Sequence, residues 1–198
     1  MDFYDTIANR RMVRNYTDDP VDRVAVERIV DAARRAPSAG FSQGHSFVVV
    51  TDESVRHAIA GLAGETKYVA NGYDPWISRA PVHVVVCVRE ASYHERYNEP
   101  DKTNPDGTEV DWPIPWWWVD VGGALVTLLL GAVAEGLAAG VLGTHATGDL
   151  RTLLGIPDDV VPVGVVTIGH PAPDRRSGSL ARGWKPKGEV IHWEKWSS

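Results

Sequence analysis

The run of residues 121–141, VGGALVTLLLGAVAEGLAAGV, constrains the fold more than any other stretch, because its length and apolarity approach those of a membrane span. Glu135 lies inside it, Asp120 borders it, and no Lys or Arg flanks it, so the basic anchors of a spanning helix are missing. Gly122, Gly123, Gly131, Gly136 and Gly140 leave its backbone open to close approach by neighbours. These features predict a long central helix buried in a protein core, with no membrane partner.

Such a helix needs other apolar elements around it. Phe3, Ile7 and Met12 suggest a short N-terminal helix. Val24, Val26, Ile29, Val30 and Ala33 recur at helical spacing after Thr17-Asp18-Asp19-Pro20, predicting a second helix to about Arg35. Residues 53–63 and 149–154 also read as helical. Residues 46–51 are β-branched, and 81–88 (PVHVVVCV) have the near-continuous apolar character of a central strand covered on both faces. Residues 160–168 predict another buried strand. Between 89 and 115 the chain turns polar, with Asn104-Pro105-Asp106-Gly107 as turn signals, and reads as a long excursion. From about 170 the tail is basic and loop-like. No repeat or linker divides the 198 residues, so one layered domain of helices and a few strands is expected over 1–198, with its topology open.

Charge and cysteine usage narrow the function. A net charge of −6 gives no electrostatic reason to expect nucleic acid or an anionic membrane as partner. Cys87 is the single cysteine, so no intrachain disulfide forms within a protomer, and residues 1–14 lack a secretory pattern; a cytoplasmic location is expected.

Few motifs carry chemistry alone. RRMVR at residues 10–14 places the guanidinium groups of Arg10, Arg11 and Arg14 close together, suited to a phosphate or to a solvated helix end. Arg175, Arg176, Arg182, Lys185 and Lys187 form a second basic group whose convergence with the first depends on folding. PSAGFSQG at residues 37–44 has little bulk apart from Phe41, and suits either close approach to a flat ligand or a plain connection. Trp112, Trp116, Trp117 and Trp118 offer rigid planar surfaces for a pocket wall or for packing. His145 is a candidate pocket residue, whereas His83, inside an apolar strand, reads as a core histidine. GxGxxG and GxxxxGK[ST] are absent in phosphate-binding context, as are HExxH and GxSxG, so neither a Rossmann site, a P-loop, a metal centre nor a nucleophilic triad is supported.

Taken in order, these segments resemble the FMN-dependent nitroreductase family over most of the chain. RRMVR is similar to the family's Arg-Arg-Ser-x-Arg opening, with Met12 in place of Ser; the resemblance gives Arg10, Arg11, Met12 and Arg14 to the flavin phosphate and ribityl chain. Pro37, Ser38, Ala39 and Gln43 resemble the loop that meets the flavin ring from the partner subunit, with Phe41 where the family often has Asn, and Gly44-His45 in place of Pro-Trp. Asp120 and the run after it resemble the family's long central helix, and Leu142, Gly143 and Thr144 its turn over the flavin. Asn71 resembles a polar flavin contact, GHPAP at 169–173 a Gly-Tyr-Pro strand end, and Arg182 the closing phosphate contact, with Trp184 in place of a second basic residue. Phe41, Trp112, Trp116, Trp117 and His145 are the candidate acceptor-pocket residues.

The resemblance implies an α+β fold of three layers, α/β/α, with a central mixed sheet flanked by helices. It also implies an intertwined homodimer with the long helix at the interface. Bound FMN carries the chemistry, with no catalytic side chain required: NADPH or NADH reduces it transiently, and a small planar acceptor, nitroaromatic, quinone or activated alkene, reoxidises it by a ping-pong scheme. A flavin-storage protein without efficient turnover, and a same-fold enzyme of special flavin chemistry or using a deazaflavin, remain open alternatives.

Overall fold

The computed structural model describes residues 2–143 and 147–196. Its elements run α1 (Phe3–Asn9), α2 (Arg23–Arg34), β1 (His45–Val50), α3 (Glu53–Leu62), α4 (Glu65–Ala70), α5 (Trp76–Arg79), β2 (Val82–Val88), α6 (Ala91–Tyr97), α7 (Trp116–Ala134), β3 (Ala138–Leu142), α8 (Thr147–Leu154) and β4 (Val161–Gly169). The strands form one sheet in the order β1-β2-β4-β3. Every neighbouring pair is antiparallel, and among the described residues the parallel component expected of a mixed sheet is confined to one isolated bridge, Met12 to Ala139.

The all-buried β2 positions the layers. Side chains alternate across a strand. Val82, Val84, Val86 and Val88 therefore pack with Ile29 of α2 and Leu128 of α7, while Val85 and Cys87 pack with Ile59 of α3 and Ile77 of α5. Two apolar cores on opposite faces of one sheet make the three-layer α+β architecture. His83 lies on the second face, fully buried, its Nε2 donating to the Ile77 carbonyl at 2.7 Å, and burial lowers its pKa to about 4.

The apolar run is two elements rather than one helix. α7 begins five residues before the run and ends at Ala134, with Glu135 as its C-cap. Gly136 then takes φ 75°, Gly136 N donates to Val133 O, and Leu137 N donates to Ala132 O. This paired C-terminal hydrogen-bonding motif stops a helix and favours glycine at the left-handed position. The chain re-enters the sheet as β3, where a Cβ on Gly140 would collide with the Val13 carbonyl oxygen. Glycine there admits the N-terminal segment, whose Val13 N donates to Ala139 O at 3.1 Å. Glu135, the charge inside the run, is gripped by both Nε and a terminal nitrogen of Arg28, clamping α2 to the end of α7.

α7 is long and apolar enough to cross a membrane by length and composition alone. Asp120, Val121, Ala124, Leu128, Leu129 and Ala132 nevertheless face the domain, while Trp116, Val119, Gly123, Val126 and Ala134 remain open.

Candidate active site

Residues 37–44 double back between α2 and β1. Gly40, Phe41 and Gln43 take φ of 59°, 61° and 50° there. Glycine adopts this region freely, but at Phe41 and Gln43 it costs about 1 kcal/mol or more each, so neighbouring contacts must hold the loop. Ala39 N donates to Asp120 Oδ2 at 2.8 Å, Arg96 Nε to Gly40 O at 2.9 Å, and Gln43 N to Ser38 Oγ at 2.9 Å. Gly40 rests against Tyr97, where a Cβ would lie 2.7 Å from the ring. The braced loop leaves Phe41 74% exposed, an aromatic side chain presented outward.

Asp120, buried in the first turns of α7, joins this loop to the excursion. Its Oδ2 also accepts from the Tyr93 hydroxyl at 3.0 Å. Burial, then the neighbouring carboxylate, raises the Tyr93 pKa, so the phenol stays a proton donor. Asp120 thus acts on the loop backbone.

Beside the loop opens a pocket of about 700 Å³, whose lining includes Ser38, Ala39, Tyr97, Trp112, Trp116 and Asp120. Its aromatic and apolar surface suits a planar organic molecule. Trp112 and Trp116 line it, whereas Trp117 turns inward, 7% exposed, against Tyr93. Trp118 is exposed on α7.

The N-terminal arginines lie on a different edge. Residues 10–16 run beside β3 and are fastened to the chain after β4, with Arg14 N donating to Asp174 Oδ2 at 2.8 Å and Asn15 Nδ2 to Pro173 O at 2.9 Å. Arg10 and Arg14 are half-buried, and Arg11 and Met12 are exposed. Arg23, Arg28, Arg34, Arg35, Arg79, Arg89 and Arg96 each pair with a carboxylate, but among the described residues the guanidinium groups of Arg10, Arg11 and Arg14 do not.

Other candidates separate from this pocket. Leu142 ends β3 with its side chain in the core, 4% exposed, and Gly143 follows exposed. Thr144 and His145 lie outside the described residues. Asn71 caps α4, its Nδ2 donating to Lys67 O at 2.8 Å and its backbone carbonyl accepting from an Arg175 terminal nitrogen at 3.3 Å. Arg182 sits in an exposed turn of the tail.

A sequence profile of the Nitroreductase family matches residues 7–170. The chain belongs to the nitroreductase family. A relative from Methanothermobacter thermautotrophicus, provisionally named NADH dehydrogenase/NAD(P)H nitroreductase, is 29% identical over 99% of this chain and 88% of its own length. An FMN reductase [NAD(P)H] from Bacillus subtilis is 28% identical, covering 84% of this chain and 65% of its own. The solved structure of a nitroreductase family protein from Streptococcus pneumoniae aligns with a TM-score of 0.75 at 18% identity, over 98% of this chain and 100% of that one, which supports the fold.

In this nitroreductase-family chain, sequence reasoning missed the contribution of α6. Tyr93, Arg96 and Tyr97 brace the strained loop, and His94 joins Glu109 beside Trp112. The signal was an aromatic-rich stretch, ASYHERY, inside a segment that reads as a long polar excursion.

Proposed function

We propose that this nitroreductase-family chain, an NAD(P)H-dependent oxidoreductase by kinship, binds FMN and works as a homodimer on small planar acceptors, nitroaromatics, quinones or activated alkenes. The observation that carries the reading is the run of three guanidinium groups within five residues, Arg10, Arg11 and Arg14, that have no carboxylate partner among the described residues, whereas Arg23, Arg28, Arg34, Arg35, Arg79, Arg89 and Arg96 are paired. Unpaired guanidinium groups, two of them on half-buried residues, fit a phosphate monoester, the anionic end of FMN. The chemistry supplied by bound FMN is hydride transfer in two half-reactions, from NADPH or NADH and then to the acceptor.

The chain's own residues bind and orient. Arg10, Arg11 and Arg14 hold the phosphate, the loop at 38–43 presents Phe41 toward a ring, and Tyr97, Trp112 and Trp116 shape the acceptor pocket. Asp120 and Tyr93 keep the loop in place.

Dimerisation is supported by unsatisfied apolar surface. On α7, Trp116, Val119 and Val126 are 44%, 50% and 48% exposed along one stripe. The tail also exposes Trp184, Val190, Ile191, Trp193 and Trp196. Among the described residues the outer edge of β1 is unpaired, and between it and α2 lies a groove of about 750 Å³ lined by Val26, Val30, Phe47 and Val49. A second copy covers these surfaces, with α7 meeting α7 and the tail of one chain lying on the other.

The absorption spectrum of the purified protein is the direct test. Yellow protein bleached by NADPH or NADH without oxygen, and recoloured by a quinone, is the expected result. Colourless protein that takes up no FMN from excess, or bound flavin that neither nicotinamide reduces, would overturn the proposal.

A further inference from the structure

The excursion carries a hydrogen-bonded chain that reaches the pocket lining. Glu109 Oε1 accepts from Trp112 Nε1 at 2.6 Å and lies 2.6 Å from His94 Nδ1, while Glu109 Oε2 accepts from Asn98 Nδ2 at 3.2 Å. On the other side, His94 Nε2 is 3.4 Å from Glu90 Oε1. The imidazole packs against Trp112 and Trp117 with centroids 6.1 and 5.6 Å apart, and Tyr97 meets Trp112 edge-on at 4.6 Å.

We propose that His94 and Glu109 are positioning residues that lock the Trp112 indole as a wall of the acceptor pocket and so set how tightly a planar acceptor is held. The inference rests on the oxidoreductase reading above for its substrate class, but not for its geometry. An indole has one polar donor, and directing it to a fixed carboxylate removes rotation about the side chain. Glu109 alone would be a half-exposed carboxylate on an irregular segment; His94, rooted in α6, ties it to a regular element. Asn98, one helical turn further on, holds its second oxygen.

The lock has a pH dependence of definite sign. Among the described residues the charged groups paired with His94 are Glu109 and Glu90, and the rings of Trp112 and Trp117 pack against it. Glu109 first, then Glu90, raises the imidazole pKa. Burial raises that of Glu109, but hydrogen bonds from Trp112 and His94 outweigh it and leave the pKa lowered. The ion pair is therefore complete between the carboxylate range and the ordinary imidazole range, and weakens as pH rises through the elevated His94 value.

The test reads the indole directly. In tryptophan-labelled protein the Trp112 Nε1–H resonance, assigned with Trp112→Phe, is expected to move with pH in one step that His94→Gln abolishes, and to shift in Glu109→Gln. With the holoenzyme and a benzoquinone, both substitutions are expected to raise acceptor KM roughly 3- to 10-fold, the scale of one hydrogen bond, and to leave kcat within about twofold. Alkaline pH should raise the wild-type KM and leave that of His94→Gln flat. An indole resonance indifferent to both substitutions overturns the lock, whether or not the protein turns over. A responsive resonance with unchanged KM overturns the role in acceptor binding. Absence of any turnover would sink the oxidoreductase reading instead, and quinone affinity measured by tryptophan quenching would then judge the lock.

Discussion

Tyr93 and the backbone NH of Ala39 converge on the same oxygen of Asp120, at 3.0 and 2.8 Å, so one carboxylate of α7 fastens both the excursion and the strained loop. Removing a buried charged acceptor leaves both donors unmatched. Asp120→Ala is therefore expected to destabilise the fold by about 2–3 kcal/mol, and Tyr93→Phe by only about 1 kcal/mol. Urea unfolding gives the order, and hydrogen exchange at residues 39–43 should quicken in Asp120→Ala before global unfolding does. Equal stability of Asp120→Ala and wild type would remove this carboxylate from the support of the loop.

The unpaired arginines make a second prediction, selective for phosphate. Arg10→Ala, Arg11→Ala and Arg14→Ala should each weaken FMN binding by roughly 10- to 100-fold, the worth of a charge-assisted hydrogen bond, and leave riboflavin binding nearly unchanged. Flavin-fluorescence titrations with the two ligands separate these outcomes. If FMN and riboflavin weaken equally, the side chains serve the fold and not the phosphate.

How much of this was legible in the sequence depended on whether local chemistry decided the outcome. β2 was legible because seven consecutive residues are buried on both faces, which leaves an uninterrupted apolar signature. The end of α7 was misjudged because Glu135-Gly136 looks like a blemish in an apolar run, whereas the glycine stops the helix and the glutamate bonds Arg28, 107 positions away in sequence. β3 was hidden because Ala138, Ala139 and Gly140 are small for the crossing of residues 10–16, a requirement set by tertiary contact. In the candidate site, the arginines and the 37–44 loop were visible as composition. The braces from α6 were not, since Tyr93, Arg96 and Tyr97 act only after a fold brings them against residues some fifty positions earlier.

His83 predicts the acid limb of stability. Burial lowers its pKa from 6.5 to about 4, so the unfolded chain binds a proton between those values that the native chain refuses. Stability contributed by the neutral imidazole is complete above pH 6.5 and lost as pH falls toward 4, amounting to roughly 3 kcal/mol at the acid end. His83→Leu removes this proton uptake, though it also removes the bond to Ile77 O. Its urea midpoint should start lower at pH 7.5 and fall less than wild type down to pH 4.5. Parallel curves for the two proteins would mean that His83 does not govern the acid limb.

The open stripe of α7 predicts how assembly and cofactor binding are linked. Val126 is 48% exposed on a helix whose opposite face is core, and a Cβ on Gly123 beside it would meet no other part of the described residues within 4 Å beyond its own helical turn, leaving room for another backbone to approach. A carboxylate at the centre of such a self-facing surface would meet its own copy across a two-fold axis, combining desolvation with like-charge repulsion. Val126→Glu should therefore yield a monomer by sedimentation, with circular dichroism retained because the side chain points away from the domain core. Flavin should be lost with the dimer, since the family resemblance has the 37–43 loop meet the flavin ring from the partner subunit. A Val126→Glu protein that stays dimeric, or a wild type that sediments as a monomer while holding FMN, would place the open stripe outside both assembly and flavin binding.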